Sequence, residues 1–206
     1  MREGIFAHWP NRITAARFVG ASGLFVVFAQ FGNVGVEAIE RERTKLLYAF
    51  WLFIVVAVSD VLDGWLARRG NHITAFGRIA DPFVDKVLIL GAMIFLAVMP
   101  WSRAYFPAWV VVVILAREFL VTGIRGYVES LGAQFPADNF GKVKMFTQCI
   151  AVGVVIGMFA FEWTPEFQRS LEATARLFVW ATLATSVGSG ISYIVKTRRI
   201  LAEHAA

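Results

Sequence analysis

Six apolar stretches, each about as long as a bilayer is thick, decide what this chain can become. They fall at roughly 12–31, 46–67, 78–99, 107–129, 142–161 and 174–196. A span of about 20 apolar residues suits one crossing as a helix. The lipid interior offers no water to backbone N–H and C=O groups, so the segment must satisfy them internally, which a helix does. The breaks between them, "GNVGVEAIERERT", "RRGNH", "PWSRAYFP", "LGAQFPADNFG" and "EWTPEFQRSLEA", gather the glycines, prolines and charges. The expectation is an all-α integral membrane protein with six transmembrane helices, forming one domain over 1–206. Of the 206 residues, 58% are hydrophobic and only 17% charged, well beyond the apolar share of a soluble domain.

The charges also predict an orientation. Arg2, Arg12 and Arg17 stand at or near the N-terminus, Arg68, Arg69 and Arg78 around the second break, Arg125, Lys142 and Lys144 around the fourth, and Lys196, Arg198 and Arg199 near the C-terminus. With an even number of spans these lie on one side, which the positive-inside rule makes cytoplasmic, so both termini are expected there. The opposite connections hold Glu37, Glu40, Glu42, Glu162, Glu166 and Glu172, together with Arg41, Arg43, Lys45, Arg103 and Arg169, so the first of them weakens the bias. The short "GIFAHWP" segment can lie in the membrane interface or fray. "MREGIFAHWPNRIT" lacks the apolar core and small-residue cleavage site of a secretory signal. A lone cysteine, Cys149, excludes an intramolecular disulfide framework and a cysteine-based metal motif. The net charge of +5 points to anionic lipids or anionic substrates. No stretch interleaves basic and aromatic residues as a nucleic-acid platform would.

Against this apolar background "DVLDGWLARRGNHITAFGRIADPFVDK", residues 60–86, stands out. An acid inside a membrane helix costs roughly 2.5–3.5 kcal/mol, and here there are Asp60, Asp63, Asp81 and Asp85. At about 3.6 residues per turn, Asp60, Asp63, Gly64 and Ala67 share one helix face, and Gly77, Asp81 and Asp85 share another. Carboxylates gathered in this way would repel and take up protons unless a cation sat among them. Mg2+ takes carboxylates together with substrate phosphate oxygens, and two such ions can clamp a phosphoryl group. The neighbouring arginines suit a diphosphate substrate. A structural salt-bridge network is the plainer alternative.

The stretch reads D-x2-D-G-x2-A-R-x8-G-x3-D-x3-D and thereby resembles the signature of the CDP-alcohol phosphotransferase family. Membership implies six transmembrane helices in a homodimer, a CDP-linked lipid as donor, CMP as leaving group and an alcohol as acceptor. It implies that Asp60, Asp63 and Asp81 ligate metal, Mg2+ or Mn2+, as two ions. Asp85 would be both ligand and general base, since an attacking hydroxyl must lose its proton. Asp60, Gly64, Ala67 and Arg68 would line the CDP pocket, with Thr74 adding a hydroxyl.

The acceptor must be read elsewhere. "ILAREFLVTGIRG" puts Arg117 and Glu118 inside an apolar run, with Glu118, Thr122 and Arg125 on one face. "FGKVKMFTQ" adds Lys142 and Lys144, and sets Gln148 one turn after Lys144. Arg117, Arg125, Lys142 and Lys144 exceed what a neutral alcohol requires and suit an acceptor that carries its own phosphate. Lysines at helix ends are also common interfacial anchors, a reading open to Lys142 and Lys144. Both segments resemble the family members whose donor is CDP-diacylglycerol and whose acceptor is sn-glycerol 3-phosphate, which lie in a bacterial inner (cytoplasmic) membrane with the active site facing the cytoplasm. "PNRITAARF" resembles their opening P-N-x-x-T-x-x-R, bringing Asn11, Thr14 and Arg17 toward the nucleotide. "SGISYIVKT" resembles their last helix, with Ser186, Ser189, Gly190 and Tyr193 on one face. Met145 departs from the pattern, which has threonine there.

Two other readings stay open. One keeps the chemistry and changes the acceptor to an inositol phosphate or a lipid alcohol. The other is a cation-coupled transporter, which would place its acids near the bilayer midplane at a repeat interface. His8, His72 and His204 are scattered, and Gly153 with Gly157 forms a G-x-x-x-G of the kind that packs helices.

Overall fold

The computed structural model describes the backbone of residues 9–70, 75–132 and 139–204, and the side chains of 11–59, 80–132, 141–198 and 200–202. Six long helices account for most of it: α1 (Trp9–Ala29), α2 (Arg43–Gly70), α3 (Ala75–Val98), α4 (Ala108–Ser130), α5 (Asn139–Ala160) and α6 (Pro165–His204). A short 3-10 turn, Ile39–Glu42, leads into α2. No strand occurs among the described residues. The interfacial reading of residues 1–8 lies outside the described residues.

Asn11–Ala29, Gly141–Ala160 and Pro165–Ala202 are long and apolar enough, by length and composition, to cross a membrane. This is a membrane protein. The apolar character of α3 is interrupted by Asp81, Asp85 and Lys86, and that of α4 by Arg117, Glu118 and Arg125.

The helices close into a ring in the order α1, α2, α5, α6, α4, α3, and α3 also touches α5 across it. One end, here called the basic end, holds the starts of α1, α3 and α5 and the ends of α2, α4 and α6. At the other end the α3–α4 connection folds inward. Met99, Trp101, Ser102 and Phe106 are all buried there, and the Ser102 hydroxyl donates to the Leu96 carbonyl at 2.8 Å. The Trp101 ring meets Phe31 of the α1–α2 connection and Phe159 of α5 edge-on, at centroid distances of 6.4 and 5.0 Å. The interior of this end is filled by apolar side chains.

Small residues set the close approaches. A Cβ at Gly20 of α1 would stand 2.6 Å from Val56 Cγ2 of α2. Gly91 of α3 lies against the Phe25 ring of α1. The two glycines of the G-x-x-x-G pack α5 onto α2, Gly153 against Phe53 and Gly157 against Phe50. At the end of α4, Gly132 takes φ +79° and its N–H bonds to the Glu129 carbonyl at 3.0 Å, a glycine stop of the usual kind.

Five of the expected spans differ from the observed helices only at their ends. The sixth needs correction. "EWTPEFQRSLEA" was expected to break the chain as far as residue 174, but α6 begins at Pro165. Proline suits the first helical position because its missing N–H would have had no partner there, and the Phe167 N–H reaches the Thr164 hydroxyl at 3.4 Å as an N-terminal cap. Past 196 no glycine or proline intervenes, so the helix runs on through Arg198 to His204.

Candidate active site

The first helix supplies the partners for the acids of the third. Both run away from the basic end side by side, so residues three or four apart on one meet residues one turn apart on the other. The Thr14 hydroxyl donates to Asp81 Oδ1 at 2.5 Å, and the Arg17 guanidinium pairs with Asp85 Oδ1. Asn11, Thr14 and Arg17 are all buried, and the contacts of Thr14 and Arg17 set these two against the acidic face of α3. Asp60, Asp63, Gly64, Ala67 and Arg68 belong to the stretch of α2 nearest the basic end, but their side chains, and Thr74 altogether, lie outside the described residues.

Beside Asp85 opens a cavity of about 170 Å³ lined by Lys86, Glu118, Lys144 and Gln148, with Ile89 and Leu90 one turn further along α3. Its wall is a charge cluster drawn from four helices. Glu118 of α4, whose side chain is 6% exposed, pairs with Arg117 at 2.6 Å and with Lys144 of α5. Lys86 of α3 lies 3.9 Å from the same carboxylate and donates to the Thr122 hydroxyl at 2.5 Å. Arg117 donates its other nitrogen to Ser189 of α6 at 2.8 Å, and Arg125 donates to the Tyr193 hydroxyl at 2.6 Å. Both guanidinium groups lie near the Tyr193 ring, at 5.8 and 5.7 Å from its centroid. Gly190 makes this possible: a Cβ there would stand 3.1 Å from Arg117 Cγ.

Three of the four expected phosphate-binding cations, Arg117, Arg125 and Lys144, are thus gathered by α4, α5 and α6. Lys142 is not among them. It is exposed and lines a broad apolar groove between α2 and α5, alongside Ile54, Phe146 and Ile150. Met145 borders both the groove and the polar cavity. Lys86 is a residue that the sequence reading misses, although a lysine directly after Asp85 in a largely apolar helix is a signal in itself. Glu118 was seen only as one member of a face. That it would bridge α4 to α5 depends on the ring order of the helices, which spacing along one helix does not contain.

Residues 7–188 match the sequence profile of the CDP-alcohol phosphatidyltransferase family. The chain belongs to that family. Among curated relatives it is similar to a CDP-diacylglycerol–glycerol-3-phosphate 3-phosphatidyltransferase of Bacillus subtilis (strain 168), with 34% identity over 193 residues, covering 91% of this chain and 93% of the relative. A Mycoplasma pneumoniae enzyme with the same description is 31% identical over 181 residues, 84% of this chain and 76% of its own. A CMP-forming cardiolipin synthase of Streptomyces coelicolor is 32% identical over 203 residues, 93% of this chain and 83% of its own. The family membership agrees with the D-x2-D-G-x2-A-R-x8-G-x3-D-x3-D stretch, whose last two acids are those that α1 engages.

Proposed function

We propose that the protein transfers the phosphatidyl group of CDP-diacylglycerol to sn-glycerol 3-phosphate, giving phosphatidylglycerophosphate and CMP. The observation that carries this is the adjacency of Asp85 to a small cavity on which Lys86, Glu118 and Lys144 converge, with Arg117 behind. A base beside a cavity that carries Lys86 and Lys144, with Arg117 behind it, suits an acceptor with a hydroxyl at one end and a phosphate at the other. In the step itself the acceptor oxygen bonds to the phosphorus that carries diacylglycerol. The bond from that phosphorus to the oxygen of CMP breaks, and the hydroxyl proton passes to the Asp85 carboxylate. Arg117, Arg125 and Lys144 hold the acceptor phosphate, and Lys142, on the groove side of α5, stands apart from them.

Asn11, Thr14, Arg17, Asp60, Gly64, Ala67, Arg68 and Thr74 form the CDP side. Thr14 and Arg17 do so while orienting Asp81 and Asp85. Asp60, Asp63, Asp81 and Asp85 offer carboxylate oxygens alone, a donor set that fits a hard divalent cation, Mg2+ or Mn2+. Such ions, two in number, would neutralise charge on the diphosphate as the CMP oxygen leaves. The chain forms one domain of six spans over 1–206, works as a homodimer, and faces its site to the cytoplasm from the inner membrane.

The similarity to a cardiolipin synthase supports a second reading, in which the acceptor is a lipid alcohol. One experiment separates the two. The purified protein is incubated with labelled CDP-diacylglycerol and glycerol 3-phosphate, glycerol, inositol phosphate or phosphatidylglycerol, and CMP release is followed. Release with glycerol 3-phosphate alone is expected, and excess EDTA should abolish it. Turnover only with phosphatidylglycerol would move the chain to the second reading, and turnover undiminished in EDTA would remove the metal.

A further inference from the structure

Gln148 is 4% exposed, lines the cavity beside Asp85 and Lys144, and its Nε2 has no hydrogen-bond partner among the described residues. A buried amide nitrogen without a partner is uncommon and asks what it meets when the site is in use. It stands one turn beyond Lys144 on α5, further from the basic end, and lines the same cavity as Asp85. The other charged side chains that line the cavity already have counterparts, Asp85 in Arg17. Glu118 is held by Arg117 and Lys144, and Lys86 by Thr122.

We propose that Gln148 is a specificity-determining residue whose Nε2 donates to the middle hydroxyl of the acceptor. The inference rests on the acceptor assignment above and deepens it. Glycerol 3-phosphate has three polar parts. Its phosphate is matched by the cations, and its attacking primary hydroxyl by Asp85. What remains on the ligand is the middle hydroxyl, and among the side chains that line the cavity the Gln148 amide keeps an unpaired donor, the unpaired Nε of Arg117 lying behind that lining. A pocket that leaves a buried donor unmatched discriminates against any acceptor lacking that oxygen. Ile89 and Leu90, lining the same cavity, offer the missing oxygen no substitute.

The test compares glycerol 3-phosphate with 3-hydroxypropyl phosphate, which keeps the phosphate and the primary hydroxyl and lacks only the middle one. The wild-type protein is expected to prefer glycerol 3-phosphate by about tenfold or more in kcat/KM, the size of one lost hydrogen bond to a buried donor. In Gln148→Met that preference should collapse toward unity, through a raised KM for glycerol 3-phosphate and an unchanged KM for CDP-diacylglycerol. Gln148→Leu gives the same reading should the methionine variant not accumulate. A wild-type protein indifferent to the middle hydroxyl overturns the inference with no variant needed, and so does a preference that survives both substitutions. Absence of any turnover with glycerol 3-phosphate instead overturns the proposed function, and this inference falls with it.

Discussion

Glu118 sits inside a helix, nearly out of reach of solvent, and is the anion that Arg117 and Lys144 both contact. Its value to the fold is best judged by what its loss would leave behind. A buried ion pair is a poor source of net stability, but removing one member strands the other charge, at a cost of about 3–5 kcal/mol. Glu118→Gln is therefore expected to lower the melting temperature in detergent markedly, whereas Glu129→Gln, at an exposed position near the end of α4, leaves it unchanged. Asp85 has a different part. Asp85→Asn keeps the shape and one oxygen, loses the ability to take a proton, and also takes the counter-charge from Arg17. The expected result is a fall of about 10²–10⁴ in kcat with little change in the KM for CDP-diacylglycerol. Single-turnover rates check this, and an Asp85→Asn rate within a few-fold of the parent would move the base elsewhere. The acids and cations were legible in the sequence because charges are conspicuous among apolar residues. Their partners were less so. Thr14 and Asp81 are 67 positions apart, and nothing in either segment alone announces that α1 and α3 lie side by side.

The elements owe their arrangement to a few glycines. Gly20 lets α1 approach Val56, and a valine at 56 is a stiff neighbour because its branched Cβ fixes χ1. Gly20→Val is expected to push α1 away from α2 and destabilise the protein by about 1–3 kcal/mol, the usual cost of overpacking. Gly188→Ala, where an added Cβ meets nothing and alanine is the better helix former, serves as the control and should melt no lower than the parent. Because α1 also carries Thr14 and Arg17, displacing it should reduce turnover before unfolding is seen. Helix existence was readable from apolar length, and the G-x-x-x-G of α5 from its spacing. The start of α6 was not, because its first turns are polar: Glu166, Arg169 and Ser170 are exposed, and polarity in the sequence marks a loop and a solvated helical turn alike. Proline added to the ambiguity, since it ends one helix as readily as it begins the next.

For the molecule as a whole, the question is which compartment the polar end faces. The ring is apolar at the end plugged by Trp101 and polar at the end where Asp81 and Asp85 lie. The start of α1, the end of α6 and the helix ends that flank the α2–α3 and α4–α5 steps share that polar end, so orientation of the chain and orientation of the site are one property. Lysines and arginines near short connections set it, and they concentrate at the basic end. The first connection at the far end is the exception, with Arg41, Arg43 and Lys45. In the folded protein Arg43 pairs with Glu162 and Lys45 with Glu42, so these cations also have local structural work. The expected topology puts the basic end in the cytoplasm, where a water-soluble phosphorylated acceptor can enter the cavity without crossing the bilayer. With Cys149→Ser as background, single cysteines at Glu37 and Ala202, both exposed and at opposite ends, report it directly. An impermeant maleimide applied to intact cells should label Glu37→Cys and spare Ala202→Cys until the membrane is opened. The reverse pattern would invert the molecule and place the Asp85 cavity on the far side of the membrane from the cytoplasm.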